Sequence, residues 1–139
     1  MKQATRQISV ATRGKGLYEC TGLAERFVRD AGVGSGLMTA FIRHTSASLM
    51  IQENADPDVV ADLNDFFGRL VKESDTWYRH RDEGPDDMTS HIRSALTQTS
   101  IAIPVNQGAL SFGTWQGLFV FEHRVTPHTR QVMLHVMGE

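Results

Sequence analysis

Alternating apolar and polar residues predict a strand at the start of the chain and a sheet-rich end. Lys2 to Thr12 alternates, with Ile8 and Val10 on one face, and the Gly14-Lys15-Gly16 segment ends this strand. Two further short apolar segments predict buried strands, Leu37 to Arg43 and Leu49 to Glu53. The last third is predicted to be entirely strand, in three runs: Ser100 to Val105, Leu110 to Arg124, and Arg130 to Met137.

Between these strands, apolar residues at helical spacing predict three helices. Gly32 fits the C-cap of the first, Asp56-Pro57 begins the second, and Asp86 or Asp87 is the N-cap of the third. This order predicts a single compact α+β domain over residues 1–139, with a mixed, largely antiparallel sheet layered with about three helices. The expected buried faces are Leu23, Phe27, Val28 and Ala31; Val60, Leu63, Phe67 and Leu70; and Met88, Ile92, Ala95 and Leu96.

Composition narrows the class of protein without naming a function. The chain has 139 residues, of which 40% are hydrophobic and 22% charged, as in ordinary globular domains. Its net charge of −2 gives no basic surface for nucleic acid, and its amino terminus lacks a signal peptide or membrane span, so we expect a cytoplasmic protein. Cys20 is the single cysteine, so an internal disulfide and a multi-cysteine metal cluster are excluded, and any metal must rely mainly on nitrogen and oxygen ligands.

The segment from His80 to His91 is the strongest candidate for chemistry. It contains two histidines and four carboxylates, and Gly84-Pro85 makes its first half a loop. Imidazoles and carboxylates together suit Zn²⁺ or Mn²⁺ and also suit proton transfer near neutral pH. The alternative is a solvated polar loop that leads into an acidic helix start. Trp77 and Tyr78, just before this segment, are expected to anchor the loop.

Glu122 and the segment after His44 are the other candidates. Glu122 shares its strand face with Leu118 and Val120, so it is expected to be buried and to need a partner. That partner is an arginine such as Arg130 in a structural pair, or else Glu122 is a general acid or base, or a metal ligand. His44-Thr45-Ser46 follows an apolar strand, and its hydroxyls and turn amides suit phosphate oxygens. A serine triad is disfavoured because no G-x-S-x-G motif is present.

Five motifs together resemble the YjbQ-like family, whose members are associated with a secondary thiamine-phosphate synthase activity. The resemblance covers nearly the whole chain. Its motifs are His44-Thr-Ser-Ala-Ser-Leu, Glu53-Asn-Ala-Asp-Pro-Asp-Val, Asp82-Glu-Gly-Pro-Asp-Asp-Met-Thr-Ser-His-Ile, Gly113-Thr-Trp-Gln-Gly and Phe121-Glu-His-Arg.

The resemblance implies a compact α+β homotrimer with sites near subunit interfaces and a histidine-lined site for a divalent metal, Zn, Mn or Mg. The metal ligands it implies are His44, His80 and His91. Asp87, Gln116 and Glu122 would be catalytic, and Thr45, Ser46 and Arg130 would bind phosphate. The family's acidic positions also include Asp56, and Arg93 is a further possible phosphate contact.

The reaction implied by the resemblance joins an aminopyrimidine methyl diphosphate to a thiazole phosphate and releases pyrophosphate. Its difficulty is the charge of the leaving group, which a divalent cation and nearby donors relieve. The dedicated enzymes of that pathway are (β/α)₈ barrels, and this chain is too short to form one. A secondary activity is therefore expected. The alternatives are a non-catalytic trimeric protein that binds a metal or a phosphorylated small molecule, and a metal-assisted phosphohydrolase.

Overall fold

The computed structural model describes residues 1–139 and contains eight strands and three helices. None of the helices has the length and apolar character needed to span a membrane. The elements, in chain order, are β1 Lys2–Arg13, β2 Gly16–Glu19, α1 Thr21–Ala31, β3 Ser35–Ile42, β4 Ala47–Glu53, α2 Pro57–Leu70, α3 Asp87–Leu96, β5 Ser100–Asn106, β6 Ala109–Leu110, β7 Gln116–Glu122 and β8 Pro127–Gly138.

The strands form two sheets instead of the single sheet that was expected. One has five strands in the order β1-β8-β3-β5-β6, and the other has three in the order β2-β7-β4. Every pairing between these strands is antiparallel. The α+β prediction with three helices is confirmed, and so is the central position of the strand that carries Glu122.

The hydrophobic core lies between the two sheets and includes one face of α1. On β8 the alternate residues Val132, Leu134 and Val136 are buried, and on β1 Ile8 and Val10 are buried as predicted. Cys20 belongs to the same core. Burial, followed by the charge of Glu19, raises the pKa of the Cys20 thiol to about 12, which makes it an unreactive core residue.

Two of the predicted helix ends are confirmed in detail. The side chain of Asp56 accepts a hydrogen bond from the amide of Asp58 at 2.9 Å, with Pro57 in the first turn of α2. Gly32 ends α1 with a φ of 65°, in the left-handed region that favours glycine.

Helices α2 and α3 cover the outer face of the three-stranded sheet. Phe67 of α2 packs edge-to-face on Phe121 of β7, with 5.2 Å between ring centroids. The guanidinium of Arg93, from α3, lies 5.0 Å from the centroid of the same Phe121 ring. Both faces of β7 are therefore covered within one chain.

The predicted long strand from Leu110 to Arg124 is wrong. It divides into β6, which belongs to the five-stranded sheet, and β7, which belongs to the three-stranded sheet. A turn separates them, in which the Gln116 side chain accepts a hydrogen bond from the amide of Gly113 at 2.8 Å. The short strand β2 was not predicted, because Gly16 was interpreted as part of a terminating turn.

The buried face predicted for α3 is wrong, and the one predicted for α2 is confirmed only in part. The residues of α3 that are buried are polar, namely Asp87, Thr89, Ser90 and Arg93, whereas Leu96 is 58% exposed. In α2 no residue is fully buried, but the predicted residues Val60, Leu63 and Phe67 are half-buried and only Leu70 is exposed. The inner face of α3 meets a polar network instead of the apolar core, so its apolar residues lie towards the outside.

Candidate metal centre

Four side chains of the His80–His91 segment converge on one point. The ligand atoms of His80, Glu83, Asp87 and His91 all lie within 4.8 Å of one another. The Nε2 atoms of His80 and His91 are 2.6 and 3.0 Å from the same Asp87 oxygen, Oδ2. The His80 Nε2 atom is also 3.0 Å from Glu83 Oε2. Two imidazole nitrogens and two carboxylates form a donor set suited to a divalent metal.

Helix geometry brings Asp87 and His91 together, because residues four apart in sequence share one face of a helix. Asp87 is the first residue of α3, where the helix dipole favours a negative charge. His80 and Glu83 come from the preceding loop. That loop is attached through Tyr78, whose hydroxyl donates to the Lys72 carbonyl at 2.7 Å, and through Thr89, whose hydroxyl donates to the same carbonyl.

The hydrogen bond made by His91 Nδ1 determines which ring nitrogen faces the cluster with a lone pair. Nδ1 lies 2.9 Å from the Thr45 carbonyl oxygen, which can only accept, so Nδ1 carries the proton. In the neutral ring Nε2 then presents its lone pair towards Asp87 Oδ2. Two electron-rich atoms facing each other in this way fit a bound cation, and metal-binding histidines commonly donate their other N–H to a carbonyl.

Arg124 supports the cluster from behind and was not predicted from the sequence. Its Nη1 donates to Asp87 Oδ1 at 2.5 Å, and its Nε donates to Asp86 Oδ2 at 3.0 Å. Its Nη2 also donates to the Glu83 carbonyl at 2.9 Å. Arg124 thus holds one oxygen of Asp87 and leaves the other directed at the two histidines. The sequence did contain a sign of its importance, because Arg124 is the last residue of the family motif Phe121-Glu-His-Arg.

The charges in the cluster shift two pKa values in opposite directions. Burial would raise the pKa of Asp87, but the hydrogen bond with His80 and the charge of Arg124 hold it below its ordinary value. The hydrogen bond to Asp87 raises the pKa of His80. Asp87 therefore stays ionised, as a metal ligand must.

Glu122 is buried and paired, as predicted, and its partner is Arg130. The side chain is 0% exposed, and Arg130 donates to both of its oxygens, with Nε 2.6 Å from Oε2. Thr12 donates to Oε2 at 2.7 Å and the amide of Arg124 donates to Oε1 at 3.0 Å. Burial would raise the pKa of Glu122, but these hydrogen bonds hold it below its ordinary value. Glu122 thus accepts four hydrogen bonds. This arrangement favours a structural Glu122–Arg130 pair over an acid, a base or a metal ligand.

Of the predicted phosphate-binding residues, Thr45 contacts the cluster, whereas Arg130 does not face solvent. Thr45 is exposed, and its carbonyl contacts His91 as described above. Ser46 Oγ accepts a hydrogen bond from Arg130 Nη2 at 3.0 Å. Because Arg130 is buried among Glu122 and Ser46, it positions Ser46 and is not available to a phosphate in this structure.

Three other predicted site residues are not part of the cluster. His44 Nε2 accepts the backbone amide of Gln131 at 2.8 Å, so within one chain the expected group of three histidines is reduced to two. Gln116 is exposed at the opposite end of β7 from Glu122, about 20 Å away along the strand. Asp56 caps α2.

A buried serine–histidine pair is present, but it is not arranged for nucleophilic catalysis. Ser48 Oγ lies 2.9 Å from His123 Nε2, and Arg93 Nε donates to His123 Nδ1 at 3.1 Å. Since Arg93 can only donate, Nδ1 is bare and Nε2 carries the proton. His123 therefore donates to Ser48 and cannot remove its proton. Arg93 is itself fully buried, so it is not a phosphate contact at the surface.

The fold and the cluster define a single-domain α+β protein with a candidate metal centre made of histidines and carboxylates. The family model described as UPF0047 protein YjbQ-like matches residues 6–139. The chain therefore belongs to this family, and the resemblance seen in its motifs is confirmed.

Individual relatives agree with this assignment. The chain is 56% identical over 130 residues to UPF0047 protein sll1880 of Synechocystis sp., an alignment covering 94% of this chain and 88% of that protein. It is 43% identical over 107 residues to UPF0047 protein YjbQ of Escherichia coli O157:H7, covering 77% of each. A crystal structure of an uncharacterized conserved protein of the yjbq/upf0047 family from Clostridium acetobutylicum superposes with a TM-score of 0.87 at 29% identity, covering 95% of this chain and 99% of that one.

Proposed function

We propose that the protein binds a divalent metal ion at His80, Glu83, Asp87 and His91 and uses this centre to act on a phosphorylated small molecule. The observation that carries the proposal is the convergence of four ligand atoms within 4.8 Å. The Nε2 lone pair of His91 and the fixed orientation of Asp87 support it. The mixed donor set favours Zn²⁺ or Mn²⁺ over Mg²⁺, which prefers oxygen ligands and water.

Phosphate would be held next to the metal by the turn that begins at Thr45. This turn lines an open cavity of about 470 Å³ that also includes His44 and Ser46. Because Ser46 Oγ accepts from Arg130, its own proton remains free to donate to a phosphate oxygen. A bound divalent cation would neutralise charge that develops on phosphate oxygens and on a leaving pyrophosphate.

For the reaction we propose a weak or secondary thiamine-phosphate synthase activity, which the family resemblance suggests. In this reaction an aminopyrimidine methyl diphosphate joins a thiazole phosphate, and the departing pyrophosphate is the group that most needs charge neutralisation. Asp87 would act as a ligand and not as an acid or base, because Arg124 and His80 hold it ionised. Glu122 would preserve the position of Ser46 through Arg130.

A metal-assisted phosphohydrolase is the second candidate. The side chains of His80 and Glu83 are 41% and 65% exposed, so water reaches the cluster directly. Such a site suits transfer of a phosphoryl group to water at least as well as the exclusion of water that a synthase needs. A non-catalytic metal or phosphate binder would use the same residues without turnover.

We also propose that the protein is a homotrimer. The family resemblance suggests this assembly. Further support comes from apolar side chains on the outside of α2 and α3, with Phe66, Leu70 and Leu96 each more than half exposed. If metal binding also requires His44, a neighbouring copy must supply it, since the ring of the same chain is outside the cluster.

Two measurements on protein purified without a polyhistidine tag test the metal-dependent function. Elemental analysis should find a divalent metal in the wild type and little in Asp87→Asn, His80→Asn or His91→Asn. Asp82→Asn is the matched control, because Asp82 is an exposed carboxylate of the same loop and is not in the cluster. Full metal content in Asp87→Asn would overturn the proposal.

Product analysis with added Mg²⁺, Mn²⁺ or Zn²⁺ then separates the candidate reactions. Thiamine phosphate with pyrophosphate supports the synthase, and inorganic phosphate from a phosphate monoester supports the hydrolase. Metal binding without any turnover of these substrates supports the binding protein.

A further inference from the structure

A cavity opens directly beside the cluster, on the side of His80. It has a volume of about 420 Å³ and is lined by Trp77, Tyr78, Arg79, His80 and Met88. Small-molecule sites typically fall between about 300 and 1,000 Å³ and combine apolar walls with a few polar groups. Because His80 belongs both to this cavity and to the cluster, a molecule in the cavity would lie next to a bound metal.

Trp77 is a large apolar side chain that the fold leaves mostly exposed. The adjacent Tyr78 is only 6% exposed and anchors the loop through its hydroxyl, as predicted, whereas Trp77 is 69% exposed, so the same prediction is wrong for Trp77. The two rings meet edge-to-face with 4.7 Å between centroids. The indole thus lines the cavity, is supported by a fixed neighbour and keeps most of its surface exposed.

The chemistry of the lining points to a ligand with two different ends. Trp77 and Met88 offer an apolar surface suited to a flat aromatic group. Arg79 adds a positive charge, and His80 joins the cavity to the cluster because it belongs to both. An anionic group would therefore point towards the metal and an aromatic group towards the indole.

We propose that the metal centre is specific for small aromatic phosphate esters, whose ring stacks on Trp77 while the phosphate reaches the cluster. This inference rests on the proposed metal-dependent function and adds Trp77 as the residue that binds the aromatic ring and so determines the preference for aromatic substrates. A simple alkyl phosphate would contact the same metal but leave the indole surface uncovered.

Binding of two non-hydrolysable probes to the metal-loaded full chain tests the inference. Phenylphosphonate is expected to bind roughly tenfold more tightly than methylphosphonate, which corresponds to one aromatic stacking contact. Trp77→Ala should lose this preference and keep its affinity for methylphosphonate. Trp115→Ala is the matched control, because Trp115 is 61% exposed but does not line the cavity, and it should keep the preference.

The outcomes distinguish this inference from the function on which it rests. Equal affinity for the two probes, or an aryl preference that persists in Trp77→Ala, overturns the aromatic specificity while the metal site stands. Failure of the wild type to bind a divalent metal overturns both. If Trp77 is instead covered by another copy of the chain, neither phosphonate will protect it from quenching by acrylamide, which also overturns the inference.

Discussion

Arg124 and Asp87 form an ion pair in which Nη1 lies 2.5 Å from Oδ1, while the second Asp87 oxygen faces His80 and His91. The backbone amide of Arg124 also donates to Glu122. One residue thus connects the candidate metal centre to the buried Glu122–Arg130 pair. The orientation of the proposed ligand Asp87 depends on a strand end about 37 residues away in sequence.

Replacing Arg124 by Met should weaken metal binding without removing any ligand. Loss of an outer partner of a metal ligand typically costs about 10- to 100-fold in affinity. Titration with Zn²⁺ or Mn²⁺ by calorimetry measures the change, and Arg124→Lys should recover part of it by restoring the charge.

Arg6→Met provides the control for this prediction. Arg6 forms an exposed ion pair with Asp30 at 3.0 Å and contacts no residue of the cluster, so its replacement should leave metal affinity unchanged. An Arg124→Met protein with wild-type metal affinity would show that Asp87 does not need its hydrogen bond with Arg124 to act as a ligand.

Much of the fold follows from local patterns in the sequence. The alternation of Ile8 and Val10 placed β1 correctly, and Asp56 and Gly32 marked the helix ends correctly, because capping depends on residues next to one another. The division of the strand predicted for Leu110 to Arg124 was missed because its two parts join different sheets. Which sheet a strand joins depends on distant partners.

The candidate site was predictable only where it depends on residues close together in sequence. Asp87 and His91 are one helical turn apart, so their proximity is a local property, and His80 is in the same loop. Arg124 and the isolation of His44 from the cluster depend on contacts between distant segments. Polar residues on the inner face of α3 also reversed the expected burial, because Arg93 there donates to His123 and lies against the rings of Phe67 and Phe121.

Glu122→Gln should strongly reduce stability. Arg130 would remain buried without its counter-charge, and breaking a buried pair typically costs about 3 to 5 kcal/mol. Urea denaturation measures the free energy of unfolding, and Glu25→Gln, which changes an exposed carboxylate, should have little effect. Unchanged stability with lost turnover would instead support a catalytic role for Glu122.

Leu96→Glu should prevent assembly of the proposed trimer. Leu96 lies on α3, is 58% exposed and lines an apolar cavity together with Phe67 and Ile51. A charge placed there would be costly to bury against another copy but harmless in an isolated chain. Sedimentation equilibrium should give a trimer for the wild type and a monomer for the variant, and a monomeric wild type at micromolar concentration would contradict the proposal.

The neutral state of His123 should make the protein less stable in acid. Burial, followed by the charges of Arg93 and Arg130, lowers the pKa of His123 to about 2. In the unfolded chain the ring titrates near its ordinary pKa of about 6.5, so between these values the unfolded state binds one more proton. This contribution to stability is fully present above about pH 6.5 and is lost progressively as the pH falls, by up to about 1.4 kcal/mol per pH unit.

Two measurements check this dependence and its origin. Nitrogen NMR of the folded protein should show His123 with its proton on Nε2 and no titration between pH 7 and the onset of acid unfolding, as its hydrogen bonds to Ser48 and Arg93 require. His123→Gln should start from a lower stability but lose less of it between about pH 6.5 and 5, because it removes the titrating ring. Protonation of His123 in the folded state within this range would show that Arg93 does not hold the ring neutral.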